Sequence, residues 1–92
     1  MLKRIGVVGI VINEPKTIVD KVNLIISNYS HLIIGRMGIP KHEEQIGVIA
    51  LIVEGNTDDI GALTGKLGNL PGVIVKSALT AKTTNKGDIS ND

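Results

Sequence analysis

The run KRIGVVGIVI, residues 3–12, is dense in β-branched side chains and carries apolar groups on both sides of an extended chain. Successive strand residues point to opposite faces, so Ile5, Val7 and Val11 share one face and Val8, Ile10 and Ile12 the other. A strand with one face in water alternates apolar with polar residues, and this one does not. The run does not read as a secretion signal, because it is short, is broken by Gly6 and Gly9, and lacks a small-residue cleavage site. It stops at Asn13-Glu14-Pro15, where proline suits the first turn of a helix and the polar residue before it can cap.

Beyond Pro15, Ile18, Val22, Ile25, Ile26 and Tyr29 recur at spacings of three and four, the stripe of an amphipathic helix that runs to about Asn28. A second strand is expected from His31 to Ile39. The polar turn Pro40-Lys41-His42-Glu43-Glu44 then leads into a third strand, Gln45 to Glu54. That strand repeats the two-sided pattern of the first, with Ile49, Leu51 and Val53 set against Ile46, Val48, Ala50 and Ile52. Gly55-Asn56-Thr57-Asp58-Asp59 supplies a turn, a cap and two acids where the macrodipole of a second helix favours them. This helix spans about Asp58 to Asn69, is stopped by Leu70-Pro71-Gly72, and is followed by a fourth strand, Val73 to Thr80. Residues 82–92 contain one large apolar side chain, Ile89, and read as a flexible tail on a single domain of residues 1–81.

The order β-α-β-β-α-β is the split βαβ pattern of an α+β, ferredoxin-like two-layer sandwich, with both helices on one face of an antiparallel sheet. A two-layer monomer would leave the apolar second face of strands one and three in water. A second copy of the chain is the simplest cover, so a homodimer or homotetramer is expected. Val7 or Val8, whichever points away from the helices, should meet the neighbouring chain.

Composition narrows the function. The 92 residues leave little room for a deep enclosed pocket, so a ligand is expected at an edge, a loop or a subunit contact. Ten Lys and Arg against nine Asp and Glu give a net charge of +1, without the excess that holds a protein on phosphate backbones, so no direct nucleic-acid partner is expected. The chain has no cysteine, which removes disulfides, thiolate nucleophiles and thiolate metal sites. No apolar stretch approaches the roughly 20 residues of a membrane-spanning helix, so no membrane partner and a cytoplasmic location are the expectation.

Several blocks point to a family: IGRMGIP at 34–40, IGVIALIVEG at 46–55, TDDIGALTGKLG at 57–68, and LPGV at 70–73 with KSAL at 76–79. Over about residues 3–80 the chain resembles the iron-only hydrogenase system regulators, which are ACT-like and carry CopG-type or NikR-like labels. The resemblance implies a small regulatory or sensor module, transcriptional or acting on the hydrogenase system, that works as a homo-oligomer. Where ACT domains that bind amino acids commonly present a glycine and a polar group after strand one, this chain has Asn13-Glu14-Pro15, which argues against amino-acid binding. Nickel regulators use several histidines and a cysteine, whereas only His31 and His42 are present here. Residue 1 already starts the sheet, so a ribbon-helix-helix arm is not expected either.

Candidate sites follow from single residues. Arg36, between Gly35 and Gly38, could hold a carboxylate or phosphate by paired hydrogen bonds; the competing assignment is an intersubunit ion pair with Glu54 or Glu44. Asn13, Arg36 and Gly38 are the candidate ligand-binding residues. Gly61-Ala62-Leu63-Thr64-Gly65-Lys66 resembles a P-loop but fails its spacing, because Ile60 replaces the first glycine and Leu67 the hydroxyl. On a helical wheel Gly61, Gly65 and Gly68 instead form one stripe opposite Ile60, Leu63, Leu67 and Leu70. That stripe is either an interface with another subunit or ligand, or a tolerated surface. His31 and His42 are expected at opposite ends of one strand, more than about 25 Å apart, so no shared metal and no cofactor are expected.

No catalytic set can be assembled: no Ser-His-Asp group, HExxH helix or paired buried carboxylates are expected. An acylphosphatase-like enzyme, the alternative on this fold, needs an arginine after strand one, and that loop has none. The remaining alternatives are a module that binds a small metabolite and an adaptor that binds only a partner protein.

Overall fold

The structure, a computed structural model, describes residues 3–13, 15–41 and 46–80. Its elements are β1 (Arg4–Asn13), α1 (Pro15–Asn28), a 3₁₀ turn (Ser30–Leu32), β2 (Ile33–Lys41), β3 (Ile46–Gly55), α2 (Thr57–Gly68) and β4 (Val73–Leu79). The strands form one sheet in the order β2-β3-β1-β4, and every neighbouring pair is antiparallel. This is the ferredoxin-like α+β arrangement that the element order implies. The segments expected to form the middle of the 40–44 turn and the C-terminal tail lie outside the described residues.

One element differs from expectation. The second strand begins at Ile33, not His31, because Ser30–Leu32 tighten into a 3₁₀ turn closed by the Leu32 N–H donating to the Tyr29 carbonyl at 2.9 Å, and it runs past Ile39 to Lys41, so that Pro40 and Lys41, expected in the turn, pair with Gly47 and Ile46. The turn lets the chain reverse at the end of α1 while the Leu32 side chain drops into the interior. A run of apolar residues reads as extended, and the need to bury Leu32 close to the helix end overrides it.

The helices cover one sheet face. Val22 and Ile26 from α1, and Ile60, Leu63 and Leu67 from α2, pack on Val8, Ile10, Ile12, Ile49, Leu51, Val53 and Val73. α2 starts where Asn56, in an extended conformation, accepts the Asp59 N–H on its Oδ1 at 2.7 Å. Asp58 and Asp59 occupy its first turn and Lys66 its last, as the dipole favours.

Two glycines are required by geometry. Gly72 has φ +76°, and its carbonyl accepts the Asn13 N–H at 2.8 Å, tying the turn before β4 to the end of β1. A Cβ at Gly6 would collide with the Leu79 side chain and the Ala78 carbonyl, so β4 lies close against β1 there.

Candidate functional site

The sheet face away from the helices is open. On β1, Val8 is fully buried while its neighbour Val7 keeps 46% of its surface, so Val7 is the residue that points outward. Of the two alternatives Val8 drops out as an interface residue and belongs to the core, where its β-branched side chain packs beneath the helices. Residues paired across antiparallel strands share a face, so the register gives the outer surface as rows. One row is Ile39, Val48, Val11 and Ile74; the next is Met37, Ala50, Gly9 and Lys76; the third is Gly35, Ile52, Val7 and Ala78. A fourth begins with Ile5 beside Glu54. Met37, Ile39, Val48, Ile52 and Ile74 are all exposed on this face together with Val7. The middle row is low at its centre, where Gly9 and Ala50 lie side by side.

A β-bulge decides what β2 adds. Ile33 pairs with Val53 but Gly35 with Ile52, so one extra residue of β2 is inserted and the alternation inverts. Met37 and Ile39 therefore join the outer face, and Arg36, opposite Leu51, lies on the helix side. There its Nη2 donates to the Asn23 Oδ1 of α1 at 3.0 Å, in an exposed position. Glu54 lies on the other face, so it is not the partner of Arg36 within the chain. Glu44 lies outside the described residues.

The candidate ligand residues do not converge. Arg36 and Gly38 share the helix side of β2, whereas Asn13 is two strands away and has the opposite parity on β1. Its backbone is held by Gly72. Gly61, Gly65 and Gly68 do form one stripe on α2, and a Cβ built at any of them meets nothing within 4 Å. That helix face has no neighbour among the described residues, while Ile60, Leu63 and Leu67 hold the opposite side in the core.

A small cluster was not legible in the sequence. The Lys66 ammonium stands 5.3 Å from the centre of the Tyr29 ring, and His31 stacks on the same ring at 6.3 Å. The 3₁₀ turn creates it by swinging His31 back over the end of α1. Among the described residues no group of three His, Cys, Asp or Glu side chains is placed to hold a metal. His42 lies outside them. No described helix is long and apolar enough to cross a membrane.

Comparisons with known proteins agree with this architecture. The family described as "TM1266-like: Iron-only hydrogenase system regulator, putative" matches residues 4–77. Among solved structures, the uncharacterized protein TM1266 from Thermotoga maritima is 38% identical, with a TM-score of 0.81, over 84% of this chain and 96% of that one. The ACT domain of GTP pyrophosphokinase from Chlorobium tepidum is 22% identical, with a TM-score of 0.67, over 83% of this chain and 86% of that one. A formyltetrahydrofolate deformylase from Pseudomonas putida KT2440 shares the fold at 9% identity and a TM-score of 0.58, over 80% of this chain and 28% of that one. No curated protein matches. A ferredoxin-like sheet in the same order as expected, an ACT-domain neighbour and a match along most of its length place this chain in the TM1266-like family of iron-only hydrogenase system regulators.

Proposed function

We propose that the chain is a non-catalytic regulatory module of an iron-only hydrogenase system and that it works as a homo-oligomer. The observation that carries this reading is the open sheet face, where Val7, Ile52, Val48, Ile74, Met37 and Ile39 stand exposed in register on four strands. Single exposed apolar residues are ordinary on a soluble protein, but a continuous layer of them marks a surface made for contact. A module of this kind regulates by changing what it touches, so its assembly state is the natural carrier of the signal. With a net charge of +1, any transcriptional effect runs through another protein and not through this chain's own grip on DNA.

Arg36 supports a small anionic effector, a carboxylate or phosphate, at the β2 edge. It is exposed and commits one of its donors to a neutral partner, Asn23, with no other partner among the described residues.

The test is light scattering after size exclusion at micromolar protein. A mass at a multiple of 9.7 kDa is expected, and a well-behaved monomer would overturn the oligomer. Val7→Asp should give monomer or aggregate, since a charge in that contact is desolvated without a partner. Thermal shift with a panel of small carboxylates and phosphates, with Arg36→Ala as control, tests the effector. An oligomer that responds to none of them but co-purifies with a second protein is an adaptor.

A further inference from the structure

Building on the homo-oligomer reading, we infer that the open sheet face docks on the same face of a second copy through a two-fold axis passing over Val7, which pairs Lys76 of each chain with Glu54 of the other. The register carries the inference. Val7 is opposite Ile52 on one side and Ala78 on the other. Lys76 lies one row away on β4, beside Gly9, and Glu54 lies one row away in the opposite direction on β3, beside Ile5. The two charges are therefore placed symmetrically about Val7 on a diagonal of the sheet. They stand roughly 17 Å apart by strand spacing, too far to pair within one chain.

Both are exposed, in rows that are otherwise apolar, glycine or alanine at the described positions next to them. A half-turn about an axis lying between the two faces, over Val7 and perpendicular to that diagonal, exchanges their positions. Each lysine then lands on a carboxylate, twice per dimer. This isologous arrangement, in which one patch is complementary to itself, is what a closed two-fold interface requires.

Shape agrees with charge. The same rotation carries Ile52 of the copy over the hollow where Gly9 and Ala50 lie side by side. Nothing among the described residues demands a glycine at position 9, because a Cβ there would meet only the Lys76 carbonyl, at 3.8 Å. A glycine in a central strand is costly and marks a place where something approaches closely. The strands of the two sheets would cross at roughly 70°, near the orthogonal class of sheet packing. At that crossing, about an axis over Val7, roughly 400 Å² of each flat face overlaps, so the pair buries about 800 Å² before side-chain relief raises it toward the roughly 1,000 Å² of a specific interface.

The experiment is sedimentation equilibrium on the full chain with Lys76→Glu, Glu54→Lys and the double swap. Each single variant places like charges together twice and should weaken self-association roughly tenfold or more. The double swap should restore it. Mixing the two single variants should give a heterodimer, since every pair across their contact is again of opposite sign. Gly9→Val has room within the fold but fills the hollow, and should also weaken association while leaving the unfolding midpoint of the dilute chain nearly unchanged. A wild-type chain that is oligomeric but indifferent to both single swaps overturns this geometry and leaves the oligomer standing. Singles that weaken association without recovery in the double swap or the mixture overturn the Lys76–Glu54 pairing. A monomeric wild type overturns the oligomer itself and gives the face to a different protein.

Discussion

The two faces of the sheet are nearly equal in composition and opposite in fate. Leu51 and Ile52 are neighbours on β3, yet Leu51 is enclosed and Ile52 is exposed. The inner face is closed by α1 and α2, whose apolar stripes leave no other place to go. The outer face has many side chains of the same kind and no cover among the described residues. Apolar patterning thus reports that a face avoids water, and the connections decide which one the chain covers by itself. Crossovers between parallel strands are right-handed, and that preference sends both helices to one side.

The largest expected effect separates these neighbours. Leu51→Ala should cost about 2–5 kcal/mol, because the enclosed site cannot collapse around the lost volume. Ile52→Ala should cost less than about 1 kcal/mol in dilute solution and progressively more as protein concentration rises, since only assembly buries it. Urea unfolding at two protein concentrations reads both, and an equal loss at each concentration would break the contrast between the faces. A smaller effect concerns the cover of the inner face. Asn56→Ala removes the acceptor of the Asp59 N–H and should lower stability by about 1 kcal/mol without altering the oligomer.

Much of the fold was legible because local signals agreed with one another. Asn56, Asp58, Asp59 and Lys66 mark the ends of α2, and Pro15 marks the start of α1. Which of Val7 and Val8 points outward was not legible, because between Ile5 and Ile12 β1 has no polar residue to break the symmetry between its faces. Arg36 was harder still: its side of the sheet depends on one inserted residue between Ile33 and Gly35, and a bulge leaves no mark in hydrophobic periodicity. The cluster of Lys66, Tyr29 and His31 depends on a 3₁₀ turn, Ser30–Leu32, where the sequence reads as the start of a strand. Asn13, grouped with Arg36 as a candidate, sits on another strand and faces the other way. Chemistry at single residues was readable, but their convergence is a property of register.

The smallest effect is a gain. Gly65→Ala should stabilise the chain by up to about 1 kcal/mol, because the position is helical and a Cβ there meets nothing. Thermal unfolding measures it. If association weakens while the dilute chain gains stability, the glycine stripe is a second contact surface, and the back of α2 resembles the open sheet face more than a tolerated surface.

The position of β1 also governs how the molecule comes into being. The first strand in the chain lies inside the sheet, between β3 and β4, and the Ile5 N–H donates to Thr80 Oγ1 across a separation of 75 residues. On the ribosome, β1 emerges first and cannot gain its β4 neighbour until the last strand has been made. Closing so long a loop is entropically costly before any contact offsets it, which slows folding relative to a helical protein of this size. Until β4 is made, one edge of this ten-residue strand stays unpaired.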